Sequence, residues 1–285
     1  MVSPQKIKYN STDKSIHEAI NPMDIILDVS FDSDNGAMSS YLNRSAVAAE
    51  SHDGRYKNTI RYKYDELFSP KFTIVKKDFS DFTQDEVRQV LKYLTSTDRP
   101  ALLEVYYDGN SNAADWVCIG GFTNIETYKI ANSRTVGIVA QFEAITPYAM
   151  SHIYGRDEND IPVTYSVAST RTIPIEIHTD DNKPVYPRIT ITEKGTAVKF
   201  VNRHPDLNGD TRADEFVALS GNDPGEVIVV DCANKIITSS KTKRIFGDNF
   251  NWKWLELYDG ENDIIITGNC TVSIEYREVR KVGEY

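Results

Sequence analysis

From Val163 onward the chain alternates apolar and polar residues in short runs and offers no helix-period segment of useful length. Val163-Tyr165-Val167, Ile173-Ile175-Ile177, Ile189-Ile191 and Val198-Phe200 alternate cleanly. Val227 to Asp231, Ile236 to Thr238, Ile264-Ile266 and Val272-Ile274-Tyr276 continue the series. Successive side chains of a strand point to opposite faces, so each run acquires one apolar face that only a second layer can bury. Many short strands divided by turn residues therefore predict a β-sandwich or jelly roll. The 16 tyrosines support this class, because aromatic and β-branched residues suit a pleated surface.

The first half reads differently. Strands are expected over Asp24 to Phe31, Thr59 to Tyr64, Lys71 to Lys77, Ala101 to Tyr107, Trp116 to Phe122 and Thr135 to Ala144. One helix interrupts them. Thr83 and Glu86 have capping-box spacing, and Val87, Val90, Leu91 and Leu94 share a helical face. Asp85 and Glu86 suit the positive end of its dipole, and Pro100 follows its expected end near Thr95 to Asp98. The polar stretch 151–162 reads as a linker. The expected organisation is a β domain with one α-helix over 1–150, the linker, and an all-β domain over 163–285. The stretch Asn35 to Asn58 is poorly patterned and longer than an ordinary loop, which suggests a segment that orders against a neighbour.

Composition narrows the function. A net charge of -10 with pI near 5.1 does not neutralise phosphates, so sequence-specific nucleic-acid binding is disfavoured. No apolar run is long enough for a membrane helix, and no apolar stretch after Lys6 and Lys8 suggests a secretory signal. Cys118, Cys232 and Cys270 are too few and too widely spaced for a disulfide framework or zinc motif, and read as buried thiols. The histidines are scattered, and neither a nucleophile elbow nor a phosphate loop occurs, so no enzyme is expected and no cofactor is required.

Two segments carry candidate chemistry. Asp206, Asn208, Asp210 and Asp214 place oxygen side chains at alternating positions, as in loops that wrap Ca2+. Thr211 stands where such loops want Gly, and Val217 where they want a bidentate Glu. The competing reading is a solvated hairpin tip between Val198-Phe200 and Phe216-Leu219. Trp252 and Trp254 lie two apart, which on a strand gives one face and a possible glycan platform; an aromatic pair in a core or interface is the competing reading.

The closing segments carry a family resemblance. Gly225-Glu226-Val227-Ile228-Val229-Val230-Asp231 is followed by Trp254-Leu255-Glu256-Leu257-Tyr258-Asp259-Gly260-Glu261-Asn262-Asp263-Ile264-Ile265-Ile266 and by Val272-Ser273-Ile274-Glu275-Tyr276-Arg277. This order resembles the C-terminal domain of siphophage distal tail (Dit) proteins. Phe142-Glu143-Ala144-Ile145-Thr146-Pro147-Tyr148-Ala149 looks like the segment closing the belt domain of that family. The resemblance implies an N-terminal β-sandwich belt domain and a C-terminal galectin-like sandwich. It implies a homo-hexamer, a ring joining the tail tube protein to the baseplate hub and receptor-binding proteins and enclosing a DNA channel. Its place would be the virion tail tip, after assembly in the host bacterial cytoplasm, with no membrane. The acidic balance then suggests Asp and Glu on the channel wall. The alternative reading is a carbohydrate- or receptor-binding β-sandwich protein that contacts the host surface directly. Independently of the family, the Gly260-Glu261-Asn262 turn is expected to join two antiparallel strands, with Ile264, Ile266, Val272, Ile274 and Tyr276 on one core face.

Overall fold

A computed structural model describes residues 3–10, 15–19, 25–30, 44–50, 57–64, 67–130, 134–204, 216–221 and 223–282. The fold is mainly β, in two units: Met1–Met150 with Lys281–Tyr285, and Ser151–Arg280.

In the first unit the strands are β1 (Lys6–Tyr9), β2 (Ile25–Ser30), β3 (Arg44–Glu50), β4 (Lys57–Tyr64), β5 (Lys71–Lys76), β6 (Ala101–Tyr106), β7 (Trp116–Ile130), β8 (Arg134–Ala144) and β9 (Ala149–Met150). The main sheet runs β1-β6-β7-β8-β5-β2, each pair antiparallel, with β9 also on β7. Alternation selects its core face: Ile25, Leu27, Val29, Phe72, Ile74, Ile138, Ala140 and Phe142 are buried. The sheet is coiled. Tyr9 on β1 stands 6.1 Å from Phe142 on β8, three strands away, where a flat sheet would separate the strands by roughly 14 Å. Phe122 fills the space between them, 5.1 Å from each ring. Among the described residues, strands β3 and β4 pair only with each other; β4 covers the strand expected over Thr59 to Tyr64, whereas β3 falls inside the stretch that shows no pattern in sequence. Arg-Ser-Ala-Val-Ala-Ala-Glu has too few large apolar residues for alternation to show.

Among the described residues this unit has two α-helices, the short α1 (Ile16–Ala19) and α2 (Gln84–Leu94). The α2 capping box forms as expected: the Thr83 amide donates to Glu86 Oε2 at 2.7 Å, and the Glu86 amide donates to Thr83 Oγ1 at 3.3 Å. Val90, Tyr93 and Leu94 are buried, with Val87 packed alongside. The Tyr93 hydroxyl accepts from the Tyr9 amide at 3.0 Å and donates to Ile7 O at 3.4 Å, which lashes the helix to edge strand β1.

The second unit is the sandwich its alternation demands. Its strands are β10 (Tyr165–Val167), β11 (Thr170–Ile177), β12 (Arg188–Glu193), β13 (Val198–Asn202), β14 (Phe216–Leu219), β15 (Val227–Asp231), β16 (Ile236–Ser239), β17 (Gly260–Thr267) and β18 (Cys270–Glu275). One sheet runs β10-β18-β12-β15-β16 and the other β11-β17-β13-β14. Ile189, Ile191, Ile228 and Val230 from the first meet Ile173, Val198, Phe200 and Leu219 from the second in a single core.

Three expectations need correction. The segment 151–162 is not a slack linker but part of the second unit. Tyr154 pairs its backbone with Tyr276, Arg156 Nε binds Glu275 Oε1 at 2.7 Å, and Asp157 Oδ1 accepts from the Asn159 and Ile161 amides. Its polarity is that of a hydrogen-bonded turn. The second unit also ends at Arg280, before 285; Val282 packs on the first unit's core. Finally, the Gly260 turn does not join two paired strands: Leu257 makes only an isolated bridge, to Val185. Strand β17 pairs with β11 and β13, whereas β18 pairs with β10 and β12. Ile264 and Ile266 therefore face Val272 and Ile274 across the core from opposite sheets. Gly268, at φ 136°, makes the crossing, and a Cβ there would lie 2.6 Å from Ala197 O.

The turn before β17 is stapled by Asn262, which is fully buried. Its Nδ2 donates to Tyr258 O at 2.6 Å and Gly260 O at 2.9 Å, while its Oδ1 accepts from the Tyr258 amide and Asn202 Nδ2, both at 2.8 Å.

Candidate assembly surfaces

The outward face of the first unit's sheet carries an apolar row. Register places Ile26 opposite Val75, Val75 opposite Gly137, and Gly137 opposite Tyr128, across β2, β5, β8 and β7. The next row, Asp28, Thr73, Val139 and Glu126, is largely polar. Gly137 has no side chain to cover its neighbours. A groove of 500 Å³ opens there, lined by Val75, Phe79, Tyr128, Val136 and Val139.

Phe79 forms one wall of this groove and is 76% exposed, and Tyr128 is 63% exposed. The Phe79 amide closes a tight turn on Lys76 O at 3.0 Å, and its backbone is left-handed at φ 55°. A bulky side chain at positive φ is strained by its Cβ, and such strain gathers at functional positions.

The second unit carries a comparable feature. After β16 the chain makes a 3-10 turn (Gly247–Asn249) and then passes Trp252, at φ 57° and 57% exposed. The indole Nε1 donates to Gly247 O at 3.1 Å, and the ring meets buried Phe250 edge-on at 5.5 Å. Trp254 approaches Phe250 at 5.2 Å and packs on the sandwich core. The expectation of two tryptophans on one strand face is thus corrected: 251–256 is not a strand, and the left-handed residue breaks the alternation.

Sequence comparison identifies the chain. A family model described as the phage tail protein N-terminal domain matches residues 21–146, and one described as the phage tail C-terminal domain matches 154–276. The chain is a phage tail protein. Among solved structures, this phage tail protein is similar to the Dit protein of phage SPP1, described as a paradigm of the hub adsorption apparatus in phages infecting Gram-positive bacteria. The two are 11% identical with a TM-score of 0.60, covering 96% of this chain and 98% of that one. A second match, at 10% identity and a TM-score of 0.47, is to the baseplate of phage P2 in its activated conformation with Ca, covering 98% of each chain. No curated protein sequence matches. The tail protein therefore has the distal-tail fold that its sequence resembles.

The other sites expected of this tail protein are distributed unevenly. Asp206, Asn208, Asp210 and Asp214 lie outside the described residues; the flanking strands β13 and β14 do pair, Val201 opposite Phe216. Among the described residues, no group of three His, Cys, Asp or Glu side chains is placed to hold a metal ion. Cys118, Cys232 and Cys270 are buried free thiols, as expected, and burial pushes Cys232 up to about 12 and Cys270 up to about 11. Neither Phe79 nor Tyr128 was marked by sequence, because one exposed aromatic in a turn or on a strand looks like any other.

Proposed function

We propose that this tail protein is a ring-forming adaptor at the distal end of the tail tube. In this reading six copies close a ring through their first units and enclose the channel that DNA traverses. The second units then carry the baseplate hub and receptor-binding proteins, after assembly in the host cytoplasm. The observation that carries the reading is the outward row of Ile26, Val75, Gly137 and Tyr128, partly buried along its length but ending in exposed Tyr128, with exposed Phe79 lining the same groove. An apolar sheet face with a groove and two exposed aromatics has the makings of an interface core. A ring uses a heterologous contact that closes by rotation, so one such patch per copy, met by a different surface of the next, is sufficient. The net charge of -10 favours free passage of DNA past the protein.

The test is the mass and shape of the purified full chain, by mass photometry and negative-stain microscopy, alone and with the tail tube protein. Closed six-membered rings are expected, and Tyr128→Asp should leave folded single copies. A chain that remains single with its tube partner present, or rings unaffected by Tyr128→Asp, would overturn the reading. So would immunogold label away from the distal end of the tail.

A further inference from the structure

The loop between β16 and β17 has a charge opposite to that of the chain that bears it. Its first part, residues 240–253, holds Lys241, Lys243, Arg244 and Lys253 against Asp248, before Glu256 and Asp259 precede β17, within a chain of net charge -10. Two of these cations serve the fold: Lys241 pairs with Asp223, and Arg244 Nε lies 3.4 Å from Glu226 Oε1. Lys243 and Lys253 are exposed and make no ion pair among the described residues. Ile245 is 82% exposed, close along the chain to the outward Trp252.

The loop is also held in shape. The Ser220 amide donates to Asn249 O at 2.8 Å, the Asn251 amide to Ala218 O at 3.2 Å, and the Ala218 amide to Asn251 Oδ1 at 3.1 Å. These bonds tie it to the edge strand β14. With its Nε1 fixed on Gly247 O and its ring braced on Phe250, Trp252 is displayed at little further cost in entropy. A braced Trp on the same loop as an exposed aliphatic residue and two cations without an ion pair among the described residues has the composition of a protein-binding hot spot. A sugar would use the Trp face but would leave Ile245 without a role.

We propose that this loop docks an acidic surface of a different tail protein, with Trp252 and Ile245 entering an apolar pocket and Lys243 and Lys253 meeting carboxylates at its rim. The proposal rests on the adaptor reading, which assigns contact between copies to the first unit. The test places a photo-crosslinking amino acid at position 252 of the full chain in assembled tails, and identifies the linked peptide by mass spectrometry. A crosslink to another tail protein beside Asp or Glu residues is expected, falling at least tenfold in the Lys243→Glu, Lys253→Glu double variant. Crosslinks only to other copies of this chain, or none, would overturn the proposal. So would Trp252-dependent sedimentation of the chain with purified cell walls, which would make the loop a glycan site. Ring formation by the double variant is measured in parallel; its loss would count against the adaptor reading, whereas intact rings without the crosslink would count against the docking site alone.

Discussion

Replacing Phe79 by Gly and by Ala separates backbone strain from interface. Both variants remove the ring, so both lose the same small burial and the same contact with a neighbouring copy. They differ in what the left-handed backbone at φ 55° costs. A residue bearing a Cβ is disfavoured there by about 1–2 kcal/mol, and glycine is not. Glycine instead surrenders about 0.5–1 kcal/mol of extra chain entropy on folding. The Gly variant should therefore be the more stable of the two by about 0.5–1 kcal/mol, or up to about 3 °C in Tm for a unit of this size. Assembly should respond differently. Removing a central aromatic from an interface costs about 2 kcal/mol or more, so each contact should weaken about 30-fold in both variants alike. Urea melts followed by Trp116 fluorescence, in a background with Trp252 and Trp254 replaced by Phe, read the first unit alone; mass photometry across a concentration series reads assembly. Equal stabilities, or Ala the more stable, would refute the strain argument. Unchanged assembly would remove Phe79 from the interface.

Other outcomes test the core and its turns. Asn262→Asp puts a carboxyl against the carbonyl oxygens of Tyr258 and Gly260 in a fully buried site, so its folded pKa should rise above the ordinary value of about 3.9. The folded state then holds its proton longer than the unfolded one, and urea midpoints should fall as pH rises from 4 to 7, more than for the native chain; a shift of the opposite sign would contradict the hydrogen-bond assignment. Tyr93→Phe removes the side-chain acceptor of the Tyr9 amide and should cost about 1–3 kcal/mol, with faster hydrogen exchange at that amide; unaltered exchange there would dismiss the lashing of α2 to β1. All three thiols should resist a disulfide reagent at pH 8 in the native chain and react in guanidinium; one fast native thiol would contradict their burial.

What could be read from sequence was what local chemistry fixes. Thr83 and Glu86 meet within one turn, so the start of α2 needs no tertiary context. The strands of the second unit alternate because both sheets bury one face, and the order of closing motifs carried the family. The pairing of those strands was beyond reach. Alternation says that Ile264 and Ile274 are both inward, but gives no sign that they come from opposite sheets. Strand β7 was expected to end at Phe122 and runs to Ile130. It passes an irregularity after Thr123, with Asn124 at φ 32°, which shifts the register and breaks the period that a reader follows. Asn262 could be placed in a turn, but its burial depends on Asn202 from a strand 60 residues away.

Phe79 was not marked by sequence and Trp252 was marked only as half of a strand pair; the left-handed backbone of both was hidden, for a reason that bears on function. Positive φ is ordinarily marked in sequence by Gly or Asn, and an aromatic residue there contradicts local preference. Within an isolated chain such a residue is a loss twice over: the backbone is strained, and the ring stands in water. Glycine at position 79 would suit the free fold at least as well, whereas Trp252 offsets part of its strain through Gly247 O and Phe250. The exposed parts of both rings are what contact with another protein would cover. One lies in the turn after β5 in the first unit and the other in a sandwich loop of the second. The proposed adaptor would need two surfaces, one for its own copies and one for what it joins, and each unit holds one exposed aromatic residue at positive φ.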